Sequence, residues 1–195
     1  MSDDVVDLVA ERIDLAIRHG SLSDTSLIAT KLSDVCYRLV ASPDYLSGAP
    51  KLSAPRDLVH HATIAFAYQN FRTQWTFTRA GKTESVSIPP QITLSNAVAL
   101  RECACQGLGL ALLADWTVAP DIESGRLVEP LADWSASGAD QGSAIWLIWP
   151  SRRFVPAKVR AFVDWLMLET QADKGRNGQH ARALINRAAS GCDGR

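Results

Sequence analysis

Apolar residues recur along this chain in two rhythms, one of helical and one of strand period, and the places where the rhythm changes outline its elements. Val5, Leu8, Val9 and Ile13 fall at helical spacing behind Asp3 and Asp4, which can cap a first turn, so residues 4–12 read as a short amphipathic helix. From Ile13 to Arg18 apolar and polar residues alternate, as in a half-buried strand, until His19-Gly20-Ser21 ends the run. Leu27-Ile28-Ala29 and Tyr37-Arg38-Leu39-Val40 are two further strand-like runs. After Pro43 a polar stretch with Gly48, Pro50 and Pro55 reads as connection.

The middle of the chain is richer in strand signals. Thr63-Ile64-Ala65-Phe66, Gln74 to Thr78 and Ser85 to Ile88, the last two flanking the hairpin turn Arg79-Ala80-Gly81-Lys82, predict a compact antiparallel ribbon. Ser95 or Asn96 can cap a helix that runs through Gln106 and closes at Gly107. Leu108 to Leu113 is almost wholly apolar, which suits a strand covered on both faces, usually in a parallel sheet. A helix from Asp115 to about Ser124, a stop at Gly125 and a strand Arg126-Leu127-Val128 follow, and residues 132–143 read as a loop around Trp134. Ala144 to Trp149 is the strongest buried strand. Pro156 opens a helix whose expected apolar face is Val159, Phe162, Val163, Leu166 and Met167.

Strands alternating with helices predict an α/β protein with parallel sheets. The β-rich middle set between flanking α/β pieces predicts two lobes joined by two crossings, with ligands beyond the carboxyl ends of the strands, against helix N-termini. The expected division is 1–40 in the first lobe, 41–143 in the second, 144–170 returning to the first, and a basic tail over 171–195. Composition agrees with a real core: of 195 residues, 47% are hydrophobic and 21% charged, against the disordered and fibrous classes. With 20 Lys and Arg against 21 Asp and Glu, the net charge of −1 lacks the excess of a domain that grips phosphates by itself. No apolar run reaches the roughly 18 residues of a spanning helix, and the acidic start is unlike a secretory signal, so a cytoplasmic protein is expected. Cys36, Cys103, Cys105 and Cys192 have neither disulfide-framework nor zinc spacing, which predicts free thiols and no metal.

Four segments, in order, carry a resemblance to the C-terminal effector-binding domain of the LysR-type bacterial transcriptional regulators. They are Asp7 to Glu11 followed by Ile13 to Gly20, Leu39 to Leu46, Gly107 to Trp116 and Gly125-Arg126-Leu127-Val128, and the likeness runs from about Ser2 to Leu168. It implies two Rossmann-like lobes of the type II periplasmic-binding-protein kind, holding a small carboxylate or aromatic effector between them. It also implies dimerisation through this domain, and contact with DNA only through a winged helix-turn-helix. That motif, a linker helix and the first strand-helix-strand unit of lobe one precede Ser2 in the family, which makes a truncated, silent regulator fragment one alternative reading. A freestanding solute-binding protein is the other. Ala114 stands where the family has proline.

The candidate effector residues follow from strand ends and helix starts. Arg18, His19, Gly20 and Ser21 close a predicted strand with a guanidinium, a hydroxyl and backbone amides that suit an anion, although the same residues serve as a solvated turn. Ser95, Asn96 and Val98 open a helix whose N-terminus attracts carboxylates, and an ordinary cap reads equally well. Phe66 and Ala67 resemble a ligand-touching family position, and Trp149 closes the second crossing. Gly107-x-Gly109 follows a helix and precedes a strand, the reverse of a dinucleotide fingerprint, so no nucleotide cofactor is expected. Adjacent His60 and His61 point apart in either periodic structure, which argues against a metal. Cys103 and Cys105 face different ways on one helix, as buried thiols more readily than as a redox pair. No G-x-S-x-G elbow or H-E-x-x-H helix is present, so no enzyme activity is expected.

Overall fold

The computed structural model describes residues 8, 10–20, 27–67, 69–139, 144–150 and 155–174. In chain order the elements are β1 (Ala16–Gly20), β2 (Leu27–Asp34), β3 (Tyr37–Val40), α1 (Pro43–Gly48), a 3-10 helix (Pro55–His60), β4 (Thr63–Phe66), α2 (Gln69–Arg72), β5 (Gln74–Arg79), β6 (Lys82–Ser87), β7 (Ile92–Leu94), α3 (Ala97–Cys105), β8 (Leu110–Ala114), α4 (Asp115–Glu123), β9 (Ser135–Ser137), β10 (Ala144–Pro150) and α5 (Ala157–Lys174). They fall into two compact units, residues 1–34 with 144–195, and residues 35–143, so the chain passes between them twice.

The first unit holds a three-stranded sheet in the order β1-β10-β2. Both pairings are antiparallel, so the parallel arrangement expected here is replaced. Alternation alone reports burial, and β10 is buried because it lies centrally between two partners, with Leu147 fully enclosed. On α5 the buried residues are Val159, Leu166 and Thr170, whereas Phe162, expected on the apolar face, is exposed beside Trp165. The buried line follows i, i+7 and i+11, one narrow stripe, and helical spacing cannot say which of two apolar stripes meets the sheet. α5 also extends to Lys174, into the expected tail. The helix predicted over 4–12 lies mostly outside the described residues, and residues 10–12 form a turn.

The second unit is built on a seven-stranded sheet, β6-β5-β9-β3-β8-β4-β7. β4 runs parallel to both β7 and β8, and the remaining pairs are antiparallel. β4 therefore does not join the β5–β6 ribbon predicted for it, and β3, expected in the first lobe, is bound here by β8 and β9. The run Leu110–Ala114 is buried throughout because the sheet is covered on both sides. Leu110, Leu112 and Ala114 join the cluster of Leu58, Phe71, Trp75 and Phe77, while Ala111 and Leu113 join Leu100, Ala104, Val118 and Leu127 from the α3 and α4 side. The hairpin turn matches expectation, with Ala80 and Gly81 both at positive φ as a two-residue turn requires. Val128 forms only an isolated bridge to Ala41, and Ser135–Ser137 is a strand where a loop was predicted.

Candidate functional site

In the second unit, the carboxyl ends of two parallel strands meet the start of a helix. Phe66 pairs with Leu94 across β4 and β7, and the Ala67 N–H donates to the Leu94 carbonyl at 2.9 Å. Ser95 and Asn96 follow directly, so Phe66, Ala67, Ser95, Asn96 and Val98 form one neighbourhood at the end of the sheet where ligands sit in open α/β folds. Asn96 is the cap: its Oδ1 accepts from the N–H groups of Val98 (2.9 Å) and Ala99 (3.0 Å). Its carbonyl takes the Leu100 N–H. The first-turn amide left outside the cap is that of Ala97. Val98, 57% exposed, presents an apolar side chain beside it. The opposite end of α3 is closed by Gly107 at φ +77°, with the Leu108 N–H reaching back to the Cys103 carbonyl, so the helix is held at both termini.

In the first unit, Arg18, His19 and Gly20 end β1. The antiparallel register sets Arg18 opposite Trp146 and Gly20 opposite Ala144, the residue that begins the return strand. Asp34, the last residue before the first passage to the other unit, also pairs with Ala144. The Arg18 to Gly20 end is thus the end of the sheet where the chain leaves and re-enters the unit. His19 is an exposed residue of β1. Gly20 adopts φ +113°, and the Trp146 indole N–H donates to its carbonyl at 2.9 Å. Trp146 is the neighbour that sequence reasoning missed. The motif A-I-W-L-I-W offered two tryptophans, and only the register singles out the first.

Trp149 does not join this group. It pairs with Ile28 on β2, three residues further along β10 than Trp146, or ~10 Å at strand rise. Its indole nitrogen is buried without a hydrogen-bond partner among the described residues. Ser21 lies outside the described residues.

Other chemistry-bearing groups have structural roles. Asp121 on α4, 4% exposed, accepts from Arg126 Nε at 2.8 Å, is paired with the Arg126 Nη2, and sits 3.5 Å from Arg101 Nε of α3. Burial, with the Asp121 charge beside it, pushes the Cys105 thiol above its ordinary pKa, which disfavours a reactive thiolate. Cys36, Cys103 and Cys105 are unpaired. No group of three or more metal-ligating side chains occurs among the described residues, and none of their helices is long and apolar enough to cross a membrane.

Two α/β units, each with its own sheet and linked by two chain passages, make this a two-lobed domain of the periplasmic-binding-protein-like kind. The family model described as the LysR substrate binding domain matches residues 1–170, and the chain belongs to that family. The HTH-type transcriptional regulator PtxR of Pseudomonas aeruginosa is 36% identical over 164 residues, covering 84% of this chain and 51% of that protein. Among solved structures, the full-length Vibrio cholerae virulence activator AphB is 32% identical with a TM-score of 0.71, over 86% of this chain and 56% of that one. The CrgA regulatory domain from Neisseria meningitidis is 28% identical with a TM-score of 0.70, over 87% and 81%. The chain spans about half the length of the curated relatives it matches. Those relatives are named as transcriptional regulators rather than enzymes.

Proposed function

We propose that this chain is the effector-sensing domain of a cytoplasmic LysR-type transcriptional regulator, and that its effector is a small carboxylate or aromatic metabolite. Its output reaches DNA through a helix-turn-helix domain of the kind for which its relatives are named, and it acts as a homodimer. The observation that carries the ligand assignment is the cluster at the carboxyl ends of β4 and β7, where Phe66, Asn96 and Val98 combine a partly buried aromatic ring that also packs on the core, a helix N-terminus and an exposed apolar side chain. A carboxylate would be bonded by the free Ala97 N–H of the first turn, while Phe66 and Val98 contact its apolar body.

The test is calorimetry with benzoate and succinate on the wild type, on Asn96→Ala and on Val98→Asp. Val98→Asp sets a like charge beside the Ala97 amide and is expected to weaken the bound carboxylate about tenfold. Asn96→Ala removes the helix cap and lowers stability by about 1 kcal/mol, whereas Val98→Asp leaves the cap intact. Unchanged affinity in Val98→Asp would remove this site.

A further inference from the structure

A buried imidazole lies at the foot of the strand that carries Phe66. His61 follows the 3-10 helix, is 6% exposed, and is anchored by its backbone N–H to the Leu58 carbonyl. Its Nδ1 is 3.2 Å from the Tyr45 hydroxyl of α1, and that hydroxyl accepts the Ala62 N–H at 2.9 Å. Nε2 is buried and has no hydrogen-bond partner among the described residues. On the far side of Ala62, its carbonyl accepts the Leu110 N–H that opens β8. Tyr45, His61 and Ala62 therefore close a seam between α1, the 3-10 helix and the starts of β4 and β8.

A neutral imidazole fits this seat, with one nitrogen on the hydroxyl and one uncharged atom left unpaired. An imidazolium does not, since its Nε2–H would be a buried cationic donor with no acceptor. The facing groups do little to rescue it. From its own helical turn come Asp57, which attracts the cation, and His60, which opposes it. From α1 comes the Tyr45 hydroxyl, and no other charged group acts on the ring among the described residues. The Asp57 Oδ2 is already taken by the N–H groups of Ser53 and Ala54, at 2.9 Å each. Burial accordingly holds the His61 ring below its ordinary pKa of 6.5, with Asp57 countering only in part.

We propose that His61 is a proton-operated latch: when mild acid protonates it, the ring leaves its seat and the Tyr45–Ala62 seam opens. β4 starts two residues later, at Thr63, and ends at Phe66, so opening loosens the strand that presents Phe66 and Ala67. The latch rests on the seam geometry and not on the ligand assignment.

Because the folded state holds the proton less tightly than the unfolded chain, the stability that His61 lends is complete above pH 6.5. It is lost as the pH falls from 6.5 toward the folded value, by at most tenfold in the folding constant per pH unit. Two measurements on the full chain test the latch. In an NMR titration of the four histidine rings from pH 8 to 5, one imidazole, absent from His61→Gln spectra, should titrate below 6.5 while the Ala62 amide loses protection. In urea unfolding at pH 7.5 and 5.5, His61→Gln should lose less stability on acidification than the wild type, and His60→Gln should behave as the wild type. A His61 ring that titrates at 6.5 or above, an Ala62 amide that stays protected through the titration, or an undiminished acid response in His61→Gln would overturn the proposal. If His61→Gln does not fold, the ring and amide readouts on the wild type decide.

Discussion

Gly109 shows how a single position can constrain the second unit. It sits at φ +146°, a conformation that L side chains rarely adopt, and a Cβ there would lie 2.6 Å from the Ala62 carbonyl oxygen. The neighbour is backbone and cannot rotate away. Gly109→Ala is therefore expected to cost roughly 2–4 kcal/mol, combining backbone strain with overpacking, as a lowered urea midpoint. Asp121 is a second such position. Asp121→Ala removes the counter-charge from Arg101 and Arg126 together. Since half of the Arg126 side chain is exposed and water can take over part of the role, the expected loss is about 2 kcal/mol rather than the larger penalty of a fully enclosed pair. A midpoint within error of the wild type would show that water replaces the carboxylate completely. Both residues were visible in the sequence only as a glycine in G-x-G and an acid in a predicted helix. Neither the approach of Ala62 nor the convergence of two arginines has a local signal.

At the scale of elements, the strands that local pattern predicts well are those whose environment is uniform. β8 and β10 are apolar almost throughout, and both are interior strands. β10 carries the first unit, so Leu147→Ala is expected to destabilise that unit by about 3 kcal/mol through the cavity it leaves. Amide exchange should accelerate in β1 and β2 while β8 keeps its protection, and equal acceleration in β8 would show that the two cores melt together. Patterns failed where a partner decides the outcome. Ser135–Ser137 has no apolar rhythm and becomes a strand because β3 and β5 offer it hydrogen bonds on either side. Arg126-Leu127-Val128 looks like a strand, yet the described ladder there is one bridge to Ala41. α5 has enough apolar residues for two stripes, and only packing selects Val159 and Leu166 over Phe162 and Trp165.

For the whole molecule, discontinuity is the consequential feature. The second unit is one unbroken stretch, residues 35–143, with clusters on both faces of its sheet, whereas the first is assembled from two stretches that flank it. A fragment of residues 35–143 is expected to fold by itself, with dispersed amide signals and a cooperative urea transition, and a collapsed spectrum would contradict that self-sufficiency. Among the candidate effector residues, the second unit gathers Phe66, Ala67, Ser95, Asn96 and Val98 around one pair of strand ends, and the first keeps Arg18, His19 and Gly20 together. Trp149 falls away from Arg18 because the register of β1 on β10 places it three residues too far along. Period, capping residues and turn glycines are properties of neighbours in sequence, so the sequence alone determined the existence of β4, β8, β10, α3 and α4, a cap at Ser95 or Asn96, the Ala80-Gly81 turn and the α/β class. Strand direction, sheet membership, the buried side of α5, the choice of Trp146 over Trp149 and the sealed seat of His61 were left to the tertiary structure. Each depends on which distant segment supplies the partner hydrogen bonds and excludes water, and that pairing is settled by the packing of the whole unit.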